Sequence, residues 1–402
     1  MRPSGHRADS FALHRGSLSS AEFEDSLFEP YALCLHDHAH RRTRNQQHDP
    51  GGQQPPITEV GFNYPWVFNR YGSTIGPRDY IEHNPPTGAN DAAAVFEGTL
   101  DSNLTTLRDR LKIRKVRMFL LGNAFNYGAY PTQVGSTWFF TAPVQASPPF
   151  VSHFQRMPQI FAQNRMQILP SLLDFGAFYS PGGSGSGRTS ILTSQRQTFL
   201  GTMLQPLVQA SLPFKDSVFA WEAVNEPIWN TILAPPFFSR PHTPDHGPDC
   251  DIALMSSFLT DCCRVFEGNG FQSTVGHRFV ADSSTMPTGT LPQFHYYGGT
   301  LTKLGFTPTD PNPIPRFTNA FVGEVGAMPT NPGKLWPECQ GLDSTTASAS
   351  FERLAVLARK GYKLAFIWPD LDDDGKDGLK LSPDAQASIL RFTGGTFPNG
   401  VP

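Results

Sequence analysis

Charged residues are scarce in this sequence, and neither sign of charge is in excess. Only 17% of the 402 residues are charged, and 32 Lys and Arg stand against 35 Asp and Glu, which leaves a formal net charge of -3. A protein that binds a phosphate backbone needs a basic surface, and no basic stripe stands out along the chain. We therefore expect no nucleic-acid partner.

Long apolar runs are missing as well. The apolar runs are strand-sized, as at residues 364–368, whereas a membrane-spanning helix needs about 20 apolar residues. We predict no membrane span. The first thirty residues also lack the apolar stretch of a secretory signal. The localisation stays open, because either the protein remains inside the cell or its natural start lies upstream.

Cysteine is rare and shows no metal-binding pattern. The five cysteines are odd in number and include no CxxC pair, so no zinc framework is predicted. Cys250 is near enough in sequence to Cys262 or Cys263 to close a short disulfide loop. Buried free thiols that fill space in the core are the alternative, and the one we expect.

The first 56 residues differ from the rest of the chain. They contain His36, His38 and His40 and a polar tract at residues 46–54, a composition typical of a disordered extension. Alternating histidines on a strand could bind a metal ion, but nothing in this polar stretch would fix their geometry. We predict a disordered N-terminal extension over residues 1–56, and no metal or cofactor.

From residue 57 onward, short apolar runs alternate with helical patterns. The runs that predict strands are residues 58–62, 115–121, 166–173, 218–224, 277–281, 291–296, 320–324 and 363–368. The segments with apolar residues at three- and four-residue spacing are residues 100–111, 150–163, 194–210, 253–266 and 347–360. This alternation predicts the α/β class with a parallel sheet.

Eight strand–helix units predict a (β/α)8 TIM barrel that forms one catalytic domain over residues 57–402. Gly-, Pro- and Ser-rich inserts mostly follow the predicted strands, where such a barrel builds its active-site face. A doubly wound open sheet is the competing architecture. No Gly-rich phosphate motif follows the first strand, where residues 61–66 read GFNYPW, so no nucleotide site is predicted there.

Two glutamates stand at the ends of predicted strands. Glu226 belongs to the sequence Asn225-Glu226-Pro227, and Glu324 ends an apolar strand with glycines on both sides. Hydrolysis of a glycosidic bond needs two such carboxyl groups, one to protonate the leaving oxygen and one to attack the anomeric carbon or activate water. The pair therefore predicts a glycosidase.

With these motifs, residues 57–395 resemble the clan A glycoside hydrolases, most closely family 5 and its relatives among cellulases and mannanases. The resemblance implies that Glu226, after Asn225 at the end of strand four, is the acid/base. It implies that Glu324, at the end of strand seven, is the nucleophile.

Further family positions are matched along the chain. An Arg on strand two, a His-x-Tyr at the end of strand six and a Trp after strand eight correspond to Arg117, to His295 with Tyr297, and to Trp368. The family usually has a His near the end of strand three, where this chain has Asp174. The substrate within the family is therefore left open.

The chemistry of these residues agrees with the resemblance. Arg117 interrupts an apolar strand and needs a buried partner, for which Glu324 and Glu222 are the alternatives. We interpret Glu222 as a structural ion-pair member. Tyr297 can donate its phenol to Glu324, and His295 can orient either catalytic carboxyl or a sugar hydroxyl.

The remaining candidates are groups that could bind sugar. Asn225 can donate its amide to a sugar 2-hydroxyl, and Trp368 can stack on a sugar ring or belong to the core. Other strand-end residues suited to sugar binding are Asp174, Asn63, Trp66 and Asn123. The loop residues Trp138 and Trp229 are candidate subsite platforms.

An acidic stretch follows Trp368. Residues 370–377 begin like a calcium loop, but position twelve is Leu381 rather than Glu, which excludes a complete EF-hand. An acidic turn is the plainer interpretation, and the stretch could also shape the rim of the cleft.

Together these patterns predict a retaining glycoside hydrolase without cofactor. It would cleave β-glycosidic bonds of a glucan- or mannan-type oligo- or polysaccharide by double displacement, and we expect a monomer. A transglycosylase on the same scaffold and a non-catalytic carbohydrate-binding barrel are the alternatives. Endo and exo action both remain open.

Overall fold

The structure is a computed structural model that describes residues 59–64, 92–121, 132–134, 137–139, 145–146, 148–174, 190–231, 251–278, 280–296, 320–325, 354, 357, 362–368, 389–390 and 393. Eight parallel strands close into a barrel, in which each strand pairs with the next barrel strand along the chain and the last pairs with the first. Helices lie between the strands. The predicted (β/α)8 TIM barrel is confirmed.

The barrel strands are β1 (Glu59–Asn63), β2 (Lys115–Leu121), β5 (Gln167–Asp174), β6 (Trp221–Asn225), β7 (Ser273–His277), β8 (Gln293–Tyr296), β9 (Phe321–Val325) and β10 (Leu364–Ile367). Outside the barrel, β3 (Thr132–Val134) and β4 (Thr137–Phe139) pair as an antiparallel hairpin. Because the eight strands are parallel, their carboxyl ends meet at one face.

The described helices cover the barrel with apolar faces. Their bounds are Ala92–Arg110, Pro148–Gln163, Gln205–Ser211 and Ile252–Gly268, and a short helix Arg196–Thr198 continues into a π-helix Phe199–Leu204. In the helix Pro148–Gln163 the buried residues recur at three- and four-residue spacing, at Phe150, Phe154, Met157 and Phe161. The spacing that predicted these helices is therefore the spacing that buries their apolar stripe.

The helix Ile252–Gly268 shows how the sequence sets its start. Asp251 caps it, because its side chain accepts a hydrogen bond from the backbone N–H of Ala253 at 2.7 Å. Cys262 and Cys263 lie on this helix as buried free thiols, which confirms the expected filling role for these two residues. Cys250 lies outside the described residues.

One predicted strand was wrong. The prediction placed a strand at residues 277–281, but β7 is Ser273–His277, and Val280–Ser284 forms a short 3-10 helix. The real strand has polar or small residues at positions that meet other barrel strands: Thr274 donates to Gln293, and Gly276 leaves room for Glu222. Its apolar signal is therefore weak, and the apolar residues that follow it are more prominent in the sequence.

The interior of the barrel changes character along its axis. Near the amino ends of the strands an apolar layer is formed by Leu169, Ala220, Phe321, Leu364 and Phe366. Farther along, the buried residues are polar or charged, and they include Arg117, Ser171, Glu222, Gln293 and His295. The apolar layer supports a polar interior that opens toward the carboxyl ends.

No described helix combines the length and the apolar character that a membrane crossing requires.

Candidate active site

The two predicted catalytic glutamates meet at the carboxyl ends of the barrel strands. Glu226 directly follows β6, and Glu324 is the residue before the last of β9. One oxygen from each carboxylate and one ring nitrogen of His295 all lie within 4.8 Å of one another. The structure therefore brings together three groups that the sequence predicted as parts of one site.

Glu226 adopts an unusual backbone conformation. Its φ of 48° and ψ of 53° are in the left-handed region, which a non-glycine residue adopts only where its surroundings impose it. Its backbone N–H donates to the carbonyl of Gly276 at 2.7 Å, and Pro227 begins a 3-10 turn directly after it. These constraints turn the chain sharply at the end of β6, and the Glu226 side chain keeps 13% of its surface exposed.

His295 lies between the two carboxylates. Its Nδ1 is 2.7 Å from Oε1 of Glu226 and 3.4 Å from Oε2 of Glu324. The cross-strand register places His295 of β8 beside Glu324 of β9. The histidine is thus in a position to orient either carboxyl group, as its match to the family's His-x-Tyr motif led us to expect.

Arg117 of β2 contacts both of its candidate partners. Its Nη1 donates to Oε1 of Glu324 at 2.6 Å, while its Nε and Nη2 donate to the two carboxylate oxygens of Glu222, each at 2.6 Å. The side chains of Arg117 and Glu222 are fully buried, and that of Glu324 is 5% exposed. Arg117 thus binds both of the carboxylates, Glu222 and Glu324, that the sequence offered as alternative partners.

The ionisation of this cluster follows from its contacts. Burial alone lowers the pKa of Arg117, but Glu222 and then Glu324 outweigh burial, so the pKa of this guanidinium is raised. Burial alone raises the pKa of Glu222, but the charge and hydrogen bonds of Arg117 leave it below its usual value. Both groups are therefore charged at neutral pH, which a buried pair requires to offset its desolvation.

Two asparagines complete the contacts of the guanidinium. Asn225 accepts from Nη2 of Arg117 at 2.7 Å and donates its amide to Oδ1 of Asp174 at 2.8 Å. Asn63 accepts from Nη1 at 3.0 Å and donates to the carbonyl of Gly323 at 2.9 Å. These partners fix the orientation of both amides, because a guanidinium only donates and a carboxylate or carbonyl only accepts.

The predicted sugar-binding residues differ in what they can still contact. Asp174 and Asn225 are buried strand-end residues, and one hydrogen of the Asn225 amide suffices for its bond to Asp174. Asn63 is 1% exposed, and both ends of its amide are bound to protein groups. The structure thus makes Asn63 a hydrogen-bond partner of Arg117.

Trp368 follows β10 and is partly buried. Its backbone N–H donates to the carbonyl of Val325 at 2.8 Å, and its ring lies 6.2 Å from the ring of Phe119. The Phe119 ring is in turn 4.9 Å from the guanidinium carbon of Arg117, a cation–π distance. Phe119 is two residues after Arg117, and this spacing could have placed it on the same face of β2.

Sequence reasoning missed two other contributors. Ser171 of β5 and Gln293 of β8 each donate a hydrogen bond to Glu222, at 3.1 and 3.2 Å. The available signal was a polar residue in an otherwise apolar strand, because such residues in a barrel strand require a buried partner.

Tyr297, Trp66 and Asn123 lie outside the described residues, as do His36, His38, His40 and the acidic stretch at residues 370–377. The side chains of Trp138 and Trp229 are not described either.

Glu226, His295 and Glu324 are also the one group in the described part of the chain whose ligand atoms are close enough to hold a metal ion. Arg117 already places a permanent positive charge on one oxygen of Glu324, so a cation is supplied there by the protein itself.

Fold and site define a class: a parallel eight-stranded barrel with two carboxylates and a histidine at the carboxyl ends of its strands. No protein-family model matches the sequence, and no curated protein matches it. Similar solved structures do exist. They include a β-mannanase from the blue mussel Mytilus edulis, a β-1,4-mannanase from the common sea hare Aplysia kurodai and a β-1,4-D-mannanase from Cryptopygus antarcticus.

These three likenesses extend over most of each chain. The sequence identities are 15%, 14% and 13%, and the TM-scores are 0.52, 0.53 and 0.54. The alignments cover 84%, 87% and 84% of this chain and 91%, 95% and 90% of the three enzymes. At this identity the likeness shows a shared fold, so the sequence resemblance to mannanases is confirmed at the level of the fold.

Proposed function

We propose that this protein is a retaining glycoside hydrolase that cleaves β-glycosidic bonds of a glucan- or mannan-type oligo- or polysaccharide. The observation that carries the proposal is the closeness of Glu226 and Glu324: one carboxylate oxygen of each lies within 4.8 Å of the other. The two carboxyl groups are about 5 to 5.5 Å apart in retaining glycosidases and about 6.5 to 9.5 Å apart in inverting ones. The short separation supports double displacement, because an inverting enzyme needs room for a water molecule.

Glu324 is the nucleophile in this proposal. Its contact with the Arg117 guanidinium at 2.6 Å favours the ionised carboxylate, which is the form that attacks. The anomeric carbon bonds to a Glu324 oxygen as its bond to the leaving oxygen breaks, and a covalent glycosyl-enzyme results.

Glu226 is the acid/base. Its contact is with His295, a group that can itself gain or lose a proton, at 2.7 Å. Glu226 gives its proton to the leaving oxygen in the first step. In the second step it takes a proton from water, which attacks the anomeric carbon and releases Glu324.

Asn225 positions the sugar. Its carbonyl oxygen is held by Arg117, and one amide hydrogen is held by Asp174. The amide has a second hydrogen, which can donate to a sugar 2-hydroxyl. Such a hydrogen bond strengthens as charge develops at the anomeric carbon. Trp368, at the end of β10, supplies a flat apolar face for the sugar ring.

Substrate choice and reaction outcome are tested together. The fold is shared with enzymes named as β-mannanases, so β-1,4-mannan is the first substrate to test, with β-glucans and aryl β-glycosides beside it. Proton NMR of the first product formed reports its anomeric configuration. We expect a β-configured product, which mutarotates afterwards, whereas an α-configured first product would contradict double displacement.

The same assay distinguishes the related alternative. A transglycosylase passes the glycosyl group from Glu324 to a sugar acceptor, so products longer than the substrate would dominate. We expect products shorter than the substrate at low substrate concentration, because water then outcompetes sugar acceptors. A barrel that only binds carbohydrate would release no product at all.

A further inference from the structure

Glu222 is a buried charge that the proposed catalytic steps do not use. It is the second residue of β6 and is fully buried. Its two oxygens accept four hydrogen bonds, two from Arg117 and one each from Ser171 and Gln293. A carboxylate with this many donors is held in one place and in one charge state.

The barrel makes room for this carboxylate at a specific position. Gly276 lies on the neighbouring strand β7, and a Cβ atom added there would overlap Oε1 of Glu222. Gly323 on β9 does the same for Gln293, the donor to Glu222, because a Cβ there would overlap the Gln293 amide. Two glycines thus accommodate one buried polar cluster beneath the catalytic carboxylates.

The charges of the cluster do not balance. Arg117 carries one positive charge and contacts two carboxylates, Glu222 and Glu324, so the three groups together carry one negative charge. If Glu222 were neutral, the whole attraction of Arg117 would act on Glu324. A carboxylate stabilised to that extent is a weaker nucleophile, and a neutral site stabilises a positive transition state less.

We propose, building on the glycosidase function above, that Glu222 is a positioning residue for catalysis: it holds Arg117 in place and shares its charge, so that Glu324 stays reactive and the site stays net negative. Glu222 acts through Arg117. It is separated from the sugar by the guanidinium, so it affects the rate of the chemical step more than the binding of substrate.

The proposal predicts a change in the pH profile. The charged and titratable groups that face Glu324 from the described elements are Arg117 of β2, His295 of β8 and Glu226 after β6. The acid limb of kcat/KM reports the protonation of the nucleophile in the free enzyme. Without the negative charge of Glu222, the positive charge of Arg117 acts more strongly on Glu324, which is then protonated only at a lower pH. The acid limb is therefore expected to move to lower pH.

The experiment compares Glu222→Gln with the wild type on the best substrate of the panel. We expect kcat to fall roughly tenfold to a hundredfold, the effect of a small misplacement of reacting groups, with KM changed less than threefold. Glu222→Asp keeps the charge but draws it back by one methylene. Its kcat and its acid limb are expected between those of the wild type and Glu222→Gln.

Glu59→Gln is the matched control. Glu59 forms an ion pair with Lys115, on the same strand as Arg117 but at its amino end. Removing that carboxylate also takes one negative charge from the barrel, far from the site. We expect its kcat and pH profile to match those of the wild type.

Each outcome decides a different point. A wild type that hydrolyses no β-glycoside would contradict the glycosidase function. An active wild type whose Glu222→Gln variant keeps the wild-type kcat and acid limb would overturn only the role of Glu222. Equal loss of kcat in Glu222→Gln and Glu222→Asp, with an unmoved acid limb, would show a packing role and overturn it too. If Glu222→Gln does not fold, Glu222→Asp decides alone, and an unshifted acid limb in that variant contradicts the proposal.

Discussion

Nη1 of Arg117 lies 2.6 Å from Oε1 of Glu324, and both side chains are almost completely shielded from water. A cation in this position cannot be replaced by solvent if it is removed. Removal of Arg117 would leave two carboxylates, Glu222 and Glu324, buried without their counter-ion.

We therefore expect Arg117→Met to destabilise the protein by about 3 to 5 kcal/mol, the usual result of breaking a buried ion pair from one side. Arg117→Lys keeps the charge but cannot bridge two carboxylates with a planar fork, so it should fold and still lose about a hundredfold in kcat. Urea unfolding and steady-state kinetics measure these effects.

Lys115→Gln provides the control for Arg117. Lys115 lies on the same strand and pairs with Glu59, but both groups are partly exposed. Pairs of that kind contribute at most about 1 kcal/mol. A loss of stability in Lys115→Gln as large as in Arg117→Met would show that burial is not the cause.

In the proposed mechanism, Glu226→Gln removes the proton donor and leaves the nucleophile in place. Dinitrophenyl glycosides need no protonation of their leaving group, so their glycosylation rate should fall by less than about tenfold. Methyl or natural β-glycosides should lose about a hundredfold or more, the usual scale of general acid catalysis. Pre-steady-state kinetics with both leaving groups makes the comparison, and equal losses would mean that Glu226 is not the acid.

His277 predicts a stability change between pH 4 and pH 6.5. It is 1% exposed at the end of β7, and its Nε2 donates to the carbonyl of Pro287 at 3.0 Å. Burial lowers the pKa of His277 to about 4. The unfolded chain takes up a proton near pH 6.5 and the folded chain only near pH 4, so stability is lost as the pH falls through this window, by about 3 kcal/mol at its lower end.

His277→Gln should flatten this part of the stability curve, since glutamine does not titrate and can still donate to a carbonyl. His153→Gln, on the helix Pro148–Gln163, is the control for the loss of a histidine elsewhere in the chain. Urea unfolding at intervals from pH 4 to 7 measures both. An identical pH dependence in the wild type and in His277→Gln would contradict the assignment.

Removal of residues 1–56 tests the predicted domain boundary. The polar composition of this segment predicts that it contributes no core, so the truncated chain should keep the melting temperature and kcat of the full chain. Loss of folding on truncation would show that the segment packs on the barrel.

Much of the fold could be predicted because a barrel strand carries a strong apolar signal. The signal failed for β7, where Thr274 and Gly276 accommodate Gln293 and Glu222 from neighbouring strands. The sequence of one strand does not show which side chains of the neighbouring strands it contacts. A glycine that makes room for such a side chain therefore resembles a residue that interrupts a strand.

The candidate site was predictable where residues stand at strand ends, as Glu226 and Glu324 do. The contacts beneath it were not, because they depend on register between strands that are distant in sequence. His295 lies beside Glu324 only because the pairing of β8 and β9 shifts between Phe294 and His295. Whether Arg117 reaches Glu222, Glu324 or both depends in the same way on the closure of the barrel.

The most direct test of the account is to trap the glycosyl-enzyme. A 2-deoxy-2-fluoro glycoside with a dinitrophenyl or fluoride leaving group forms the covalent intermediate quickly. That intermediate is then hydrolysed slowly, so it accumulates. The account predicts one label per protein chain, located by peptide mass spectrometry on Glu324, and none in Glu324→Gln. A label on Glu226 or on another residue, or no label in a wild type that turns over the parent glycoside, would contradict Glu324 as the nucleophile.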